Sequence, residues 1–252
     1  MDRRHFVKNN FLAAGALAFP QMEFRYQNQT ITGDKPFNLD YAFHDGMFTH
    51  SAGKDFIDQI KYAYDKGFRS IEDNGMAGRS PEMQSKIGET LAKLGMRMGV
   101  FVVPKGGNGA NTLASKKKEH IEIFLEGCRK SVEVAKRCNA KWVTVVPGDF
   151  DRSLPLPIQT ANVIEALKKG AEILEPHKLV MVLEPLSDTP DLFLRSSTQT
   201  YEICRAVNSP SCKILYDAYH MQRNEGNLIN NINNVKWLED VRPLAAAPEN
   251  PS

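Results

Sequence analysis

The chain has 252 residues, of which 42% are hydrophobic and 25% are charged, and its formal net charge is +2. This length is enough for a single large α/β domain with a sizeable core, and the composition is ordinary for a globular protein. The balanced charge does not indicate nucleic acid as a partner. The four cysteines have no C-x-x-C spacing and no neighbouring histidine, which argues against a zinc site and against a disulfide framework.

The first twenty residues are typical of an export signal. The paired residues Arg3 and Arg4 precede the apolar run Phe11–Phe19, in which Ala16-Leu17-Ala18 offers a small-residue cleavage site. Paired arginines are found in twin-arginine signals, although Asp2 stands where Ser or Thr is usual. We therefore predict that residues 1–20 direct export to the periplasm, and the run is too short to be an integral membrane span. The alternative is an unstructured start that happens to hold two arginines.

After a polar linker over residues 21–37, strand and helix patterns alternate along the chain. Ser80 and Pro81 form a cap and first-turn pair that starts a helix, and Gly95 ends it. The predicted strands are Leu39–Phe43, Phe68–Asp73, Met98–Val103 and Trp142–Val146, followed by one that ends at Glu184 and one that ends at Asp217. The predicted helices are Lys54–Lys66, Pro81–Leu94, Lys116–Arg137, Pro157–Leu174, Arg195–Val207 and Asn224–Asn234.

Six βα units in a row predict an all-parallel sheet, and repeats of this length predict a (β/α)8 barrel of the TIM type. The main alternative is a doubly wound sheet, but no G-x-G-x-x-G follows the first strand. The glycine-rich loop Lys105–Ala110 lacks the G-K-[ST] of a phosphate-binding loop, and we predict it to be a flexible segment at the rim.

The predicted barrel is incomplete. No apolar run after Asn234 supplies strands seven and eight, and residues 236–252 have the composition of a divergent, disordered tail. The TIM-barrel domain is therefore assigned to residues 38–235, with an open edge at each end of its parallel sheet. We expect these edges to favour homo-oligomers formed by strand pairing.

Two carboxylates follow the fifth and sixth strands and are expected to converge. Val182 and Glu184 share one face of a period-two strand, and Leu215 and Asp217 share one face of the next. The carboxyl ends of neighbouring parallel strands lie side by side. Two acids brought together there repel each other unless a cation or a proton neutralises them. Their oxygen ligands favour a divalent metal such as Mg²⁺ or Mn²⁺.

The chain resembles the xylose isomerase-like TIM-barrel superfamily, and most closely its hydroxypyruvate isomerase-like branch, from about Leu39 to Asn234. The last two of the motifs that carry this resemblance are fairly specific together, and the others are weak alone. The motifs are FHDGMF (Phe43–Phe48), GFRSIEDNGM (Gly67–Met76), TVVPG (Thr144–Gly148), VLEPL (Val182–Leu186) and YDAYHMQ (Tyr216–Gln222).

The resemblance implies one divalent metal at the barrel mouth and a glutamate pair that moves a proton between adjacent carbons of a small hydroxy-carbonyl compound or sugar. It implies that Glu184 is a metal ligand and an acid/base group, that Asp217 is the second ligand, and that His220 is a catalytic residue beside the substrate. His44 and Glu72 are candidates for substrate binding. The family takes a third ligand from strand seven and a second catalytic glutamate from strand eight, and neither has a counterpart here.

Several functions stay open on the sequence alone. A metal-dependent isomerase is the first, and a non-catalytic incomplete barrel is the second. A sugar epimerase or an endonuclease IV-like hydrolase belongs to the same superfamily, but the hydrolase needs several metals and more strand-end histidines than this chain has. Among the candidate residues, Glu184 could instead form a salt bridge, Asp217 could cap a loop and His220 could pack in one. His44 and Glu72 could simply line the rim.

Overall fold

The computed structural model describes residues 35–236. The predicted signal, residues 1–20, lies outside the described residues, as do most of the linker and the tail from residue 237. The predictions of export and of a disordered tail therefore remain predictions. Within residues 35–236, no helix is both long enough and apolar enough to cross a bilayer.

All the strands of this region pair in parallel, in the chain order β1-β2-β3 and β4-β5-β6-β7. Gly99 splits the third predicted strand into β3 and β4, yet the Gly99 N–H donates to the Ile71 carbonyl over 2.8 Å. The Asp73 N–H donates to the Val100 carbonyl over 3.2 Å, so the six predicted strand positions form one continuous ladder. The strands are β1 Ala42–His44, β2 Ser70–Glu72, β3 Arg97–Met98, β4 Val100–Val102, β5 Trp142–Val145, β6 Val180–Leu183 and β7 Cys212–Ile214.

Helices follow the strands as predicted, with ends shifted by a few residues. Ser80 accepts a hydrogen bond from the Met83 N–H, Pro81 occupies the first turn, and Gly95 closes the helix with φ 65°. The short helices α1 and α7 were not predicted. The helices are α1 Thr49–Ala52, α2 Phe56–Asp65, α3 Pro81–Leu94, α4 Lys118–Cys138, α5 Leu156–Leu174, α6 Ser197–Val207, α7 Ala218–Asn224 and α8 Leu228–Lys236.

Two apolar layers lie on the two faces of the sheet. The larger layer packs the strands against the helices and includes Ile71, Val143 and Met181. The smaller layer lies on the opposite face and consists of Val100, Val182 and Leu215, with Trp142 and Val180 packed against them. Because successive strand residues alternate between faces, the smaller layer is the barrel interior.

The barrel does not close within the part of the chain that the structure describes. There, β1 pairs with β2 alone, and β7 pairs with β6 alone. This confirms the prediction of an incomplete TIM-barrel fold with about six βα units and open parallel edges. Association through those edges stays a prediction.

Candidate active site

Four of the five predicted site residues end a strand or follow one within three residues, and the fifth, His220, lies in the helix after β7. His44 ends β1 and Glu72 ends β2, and the two residues are direct partners in the strand register. Glu184 directly follows β6, whereas Asp217 follows β7 and precedes α7, which contains His220. The mouth of the barrel therefore brings together side chains from four strand ends.

Glu184, Asp217 and His220 form one cluster. Each offers a ligand atom, and these atoms lie within 4.8 Å of one another. Burial raises the pKa of Glu184 to about 7, and the nearby charges of Asp217, Glu72 and Asp188 add to the rise. The predicted convergence of Glu184 and Asp217 is thus present in the structure, and their mutual repulsion makes the site receptive to a proton or a cation.

Asp217 is both a helix cap and a member of the cluster. Its Oδ1 accepts hydrogen bonds from the N–H groups of Tyr219 over 2.7 Å and His220 over 3.1 Å, at the start of α7. Its Oδ2 lies 4.0 Å from His220 Nε2. The capping alternative is therefore correct, but it occupies one carboxylate oxygen and leaves the other directed to the cluster.

The hydrogen bonds of His220 assign its tautomer. The backbone N–H of Ser187 donates to His220 Nδ1 over 3.2 Å, and the Ser187 hydroxyl lies 2.9 Å from the same atom. Because a backbone N–H can only donate, Nδ1 is an acceptor, and the proton of the neutral imidazole is on Nε2. In this arrangement His220 presents a donor to the mouth, so the oxygens of Glu184 and Asp217 are the better metal ligands.

The donor set fits a hard divalent cation. The two carboxylates supply oxygen ligands, and Mg²⁺ and Mn²⁺ take such ligands together with water. Glu184 is partly buried and Asp217 is about one-third exposed, so an ion there would stay accessible to a substrate from the mouth. The metal and its identity remain predictions.

Glu72 and His44 form a pair next to this cluster. His44 Nε2 lies 3.3 Å from Glu72 Oε2, and the side chains are 49% and 11% exposed, respectively. Burial raises the pKa of Glu72 to about 7, with a further contribution from the charge of Asp217. The negative charges of Glu72, Glu184 and Asp217 therefore act on one another across the mouth, and the role of Glu72 in substrate binding stays a prediction.

Comparison with known proteins decides the family. Residues 60–242, more than half of the chain, match the family described as xylose isomerase-like TIM barrel. The chain belongs to this family. The predicted superfamily is therefore confirmed, and its sequence relatives include the predicted hydroxypyruvate isomerase-like branch.

The relatives of this TIM-barrel family member cover different shares of the chain. The hydroxypyruvate isomerase of Escherichia coli K12 is 27% identical over 132 residues, which are 52% of this chain and 50% of that relative. The chain thus spans half of the length of that protein. A putative hydroxypyruvate isomerase of Danio rerio is 27% identical over 205 residues, covering 77% of this chain and 72% of the relative. The solved structure of the IOLI protein with a zinc atom has a TM-score of 0.60 at 16% identity, covering 76% of this chain and 68% of that one.

Two residues that sequence analysis missed hold the mouth of this family member together. The Asn224 amide donates to the carbonyls of Leu186 over 3.0 Å and Arg195 over 2.8 Å, and the Ser187 hydroxyl contacts His220. Both residues join the loop after β6 to α7. Their partners are 29 to 38 positions away in the chain, so no local pattern indicates them.

The glycine-rich loop Lys105–Ala110 is held in place, contrary to its prediction as a flexible segment. The Lys105 side chain is buried and donates to the Gly107 carbonyl over 3.0 Å and to the Ala110 carbonyl. The Asn111 amide donates to the Lys105 carbonyl over 2.6 Å. Burial lowers the pKa of Lys105 to about 8, and the charge of Asp149 opposes this. A buried ammonium needs acceptors, and the loop wraps around it to supply them.

Proposed function

We propose that the protein is an isomerase that moves a carbonyl group between adjacent carbons of a small hydroxy-carbonyl compound or sugar, with hydroxypyruvate as the first substrate to test. The observation that carries this proposal is the convergence of Glu184, Asp217 and His220 at the barrel mouth. The names of the sequence relatives support the same class of reaction.

Glu184 suits the role of the base. Moving a carbonyl by one carbon requires removal of the proton next to it and return of that proton one carbon along. The most effective general base has a pKa near the working pH. In the metal-free protein burial raises the pKa of Glu184 to about 7, and a bound ion would lower it and keep the group in the carboxylate form that a base requires. Val182, two residues earlier, packs in the barrel interior, so alternation puts Glu184 on the interior side as well, where it would contact a substrate in the mouth.

His220 suits the role of an oxyanion donor. As the carbon loses its proton, negative charge develops on the carbonyl oxygen, and a preorganised N–H donor stabilises that charge. Ser187 fixes the His220 ring through Nδ1, so the Nε2–H group is directed toward the cluster. The loop after β6 and α7 thus set the position of this donor before a substrate binds.

Glu184 and Asp217 would hold a divalent ion, Mg²⁺ or Mn²⁺, through their carboxylate oxygens. When bound, such an ion supplies Lewis-acid compensation for negative charge on the substrate oxygens. The charge of the ion would also oppose the repulsion that raises the pKa of Glu184. Within residues 35–236, the cluster of Glu184, Asp217 and His220 is the one group of three or more side chains of metal-binding type. This favours a single-ion isomerase over a hydrolase that needs several metals.

The test is isomerisation of hydroxypyruvate by the purified protein, followed by NMR, with Mg²⁺, with Mn²⁺ and with a chelator. We expect activity that depends on the ion and a loss of roughly 10²–10⁴-fold in kcat for Glu184→Gln. The matched control is Glu126→Gln, which changes an exposed glutamate of α4. Full activity of Glu184→Gln would exclude Glu184 as the base. Inversion of a hydroxyl-bearing carbon without movement of the carbonyl would identify an epimerase instead.

A further inference from the structure

Glu72 has an unusual environment for a carboxylate at a strand end. Its neighbour Ile71 packs in the helix-facing core, so the Glu72 side chain lies on the barrel side of β2. As a residue it is 8% exposed. His44 contacts Oε2, whereas Oε1 is buried without a hydrogen-bond partner among residues 35–236. A buried oxygen without a partner is destabilising, so a substrate oxygen that forms a hydrogen bond with Oε1 would be stabilised there.

The neighbouring strand makes room for this carboxylate. A Cβ atom at Gly99 would lie 3.0 Å from Glu72 Cγ and 2.8 Å from the Ile71 carbonyl oxygen. A side chain at position 99 would therefore collide with both the strand backbone and the Glu72 side chain. The glycine that splits the third strand allows Glu72 to lie against the backbone inside the barrel.

A second polar atom on the barrel side also lacks a partner. Thr144 is 1% exposed, and its Oγ1 has no hydrogen bond in the described part of the chain. Trp142, two residues earlier on β5, packs in the interior layer, so Thr144 faces the interior as well. The negative charge of Glu72 raises the pKa of Glu184, and the negative charge of Asp217 raises the pKa of Glu72. The interior thus offers a carboxyl group and a hydroxyl for a polar ligand held beside Glu184.

We propose that Glu72 is the second acid/base residue of the reaction and exchanges a proton with the substrate oxygens while Glu184 exchanges the proton on carbon. This inference rests on the proposed isomerase function. His44 is then a positioning residue, because its Nε2 lies 3.3 Å from Oε2 of Glu72, whereas Oε1 is left for the substrate. This role of Glu72 requires a substrate with a hydroxyl next to a carbonyl, because both substrate oxygens must form hydrogen bonds with the one carboxyl group of Glu72.

The proton transfers balance over one turnover. In the first half, the Glu184 carboxylate takes the proton from carbon, the C–H electron pair forms the C=C bond, and protonated Glu72 gives its proton to the former carbonyl oxygen. In the second half, the Glu72 carboxylate takes the proton of the other hydroxyl, whose electron pair forms the new C=O bond. The C=C pair then takes the proton of Glu184 at the former carbonyl carbon. Both glutamates return to their starting states.

The test compares Glu72→Gln, Glu72→Asp and the control Ser70→Ala in D₂O, with the full chain and Mn²⁺. Ser70 lies two residues earlier on the same face of β2 and is similarly buried. We expect Glu72→Gln to lower kcat by roughly 10²–10⁴-fold with little change in KM. Deuterium entry at the starting carbon of unreacted substrate should fall less than isomerisation, because Glu184 can still remove the carbon proton, exchange it with D₂O and return a deuteron, whereas a full turnover needs both proton transfers by Glu72. Glu72→Asp should recover part of kcat, and Ser70→Ala should match the unsubstituted protein.

The outcomes separate this inference from the proposed function. A raised KM with unchanged kcat for Glu72→Gln would make Glu72 a binding residue and overturn the inference. Equal loss of deuterium exchange and isomerisation, or full activity, would overturn it as well. No isomerisation by the unsubstituted protein with any tested ion would overturn the proposed function, and the inference with it.

Discussion

Removing the negative charge of Glu184 should stabilise the metal-free protein at alkaline pH. The pKa of this group rises from 4.5 to about 7 in the folded protein, chiefly through burial. The folded state therefore binds more protons than the unfolded state between these values. The contribution of protonated Glu184 to the free energy of unfolding is therefore fully present below pH 4.5 and is lost as the pH rises through 7.

The size of this effect follows from the pKa difference. One pKa unit corresponds to about 1.4 kcal/mol, so ionisation of Glu184 lowers the free energy of unfolding by up to roughly 3 kcal/mol at pH 8. Glutamine at this position keeps the shape and has no charge to desolvate. For a domain of this size the gain corresponds to a Tm increase of roughly 6–12 °C.

The assay is thermal and urea unfolding, followed by circular dichroism in a chelator, at pH 4.5 and pH 8. Glu184→Gln should exceed the unsubstituted protein at pH 8 and match it at pH 4.5, and the control Glu126→Gln should match it at both. Added Mn²⁺ should stabilise the unsubstituted protein and leave Glu184→Gln unchanged. A stability difference that is the same at both pH values would refute the electrostatic reasoning.

Two further predictions concern neighbouring elements. Asp217→Asn should keep the cap of α7, because Asn accepts the same N–H bonds, whereas Asp217→Ala should lower the free energy of unfolding in urea by about 1 kcal/mol. Both variants should lose Mn²⁺ binding, measured by calorimetry. Tight binding by either variant would contradict the ligand assignment. Lys105→Met should remove the donor that binds the carbonyls of Gly107 and Ala110 and lower the free energy of unfolding by about 1–3 kcal/mol. It should also speed amide hydrogen exchange in residues 106–110. Unchanged exchange would show that the loop is ordered without the Lys105 ammonium.

The sequence patterns predicted what depends on neighbours along the chain. Val182 and Glu184 share a face because strand residues alternate, and Ser80-Pro81 starts α3 because a cap and a proline act locally. Contacts between segments that are distant in the chain have no local sequence pattern that predicts them. The buried Lys105 ammonium orders a loop whose glycines indicated flexibility, and Asn224 binds two carbonyls far away in the chain. Helix α7 was not predicted, because an aspartate such as Asp217 is as common in a loop as at a helix N-cap.

The loop after β6 and helix α7 are joined by hydrogen bonds into one structural unit at the mouth of the barrel. Asp217 starts α7, His220 bonds to Ser187, and Asn224 at the end of α7 binds Leu186 and Arg195. A chimera that replaces α7 alone would leave donors and acceptors unmatched on both sides of the seam. A graft from a related barrel should therefore carry residues 184–225 as one block, and substrate preference should transfer with that block.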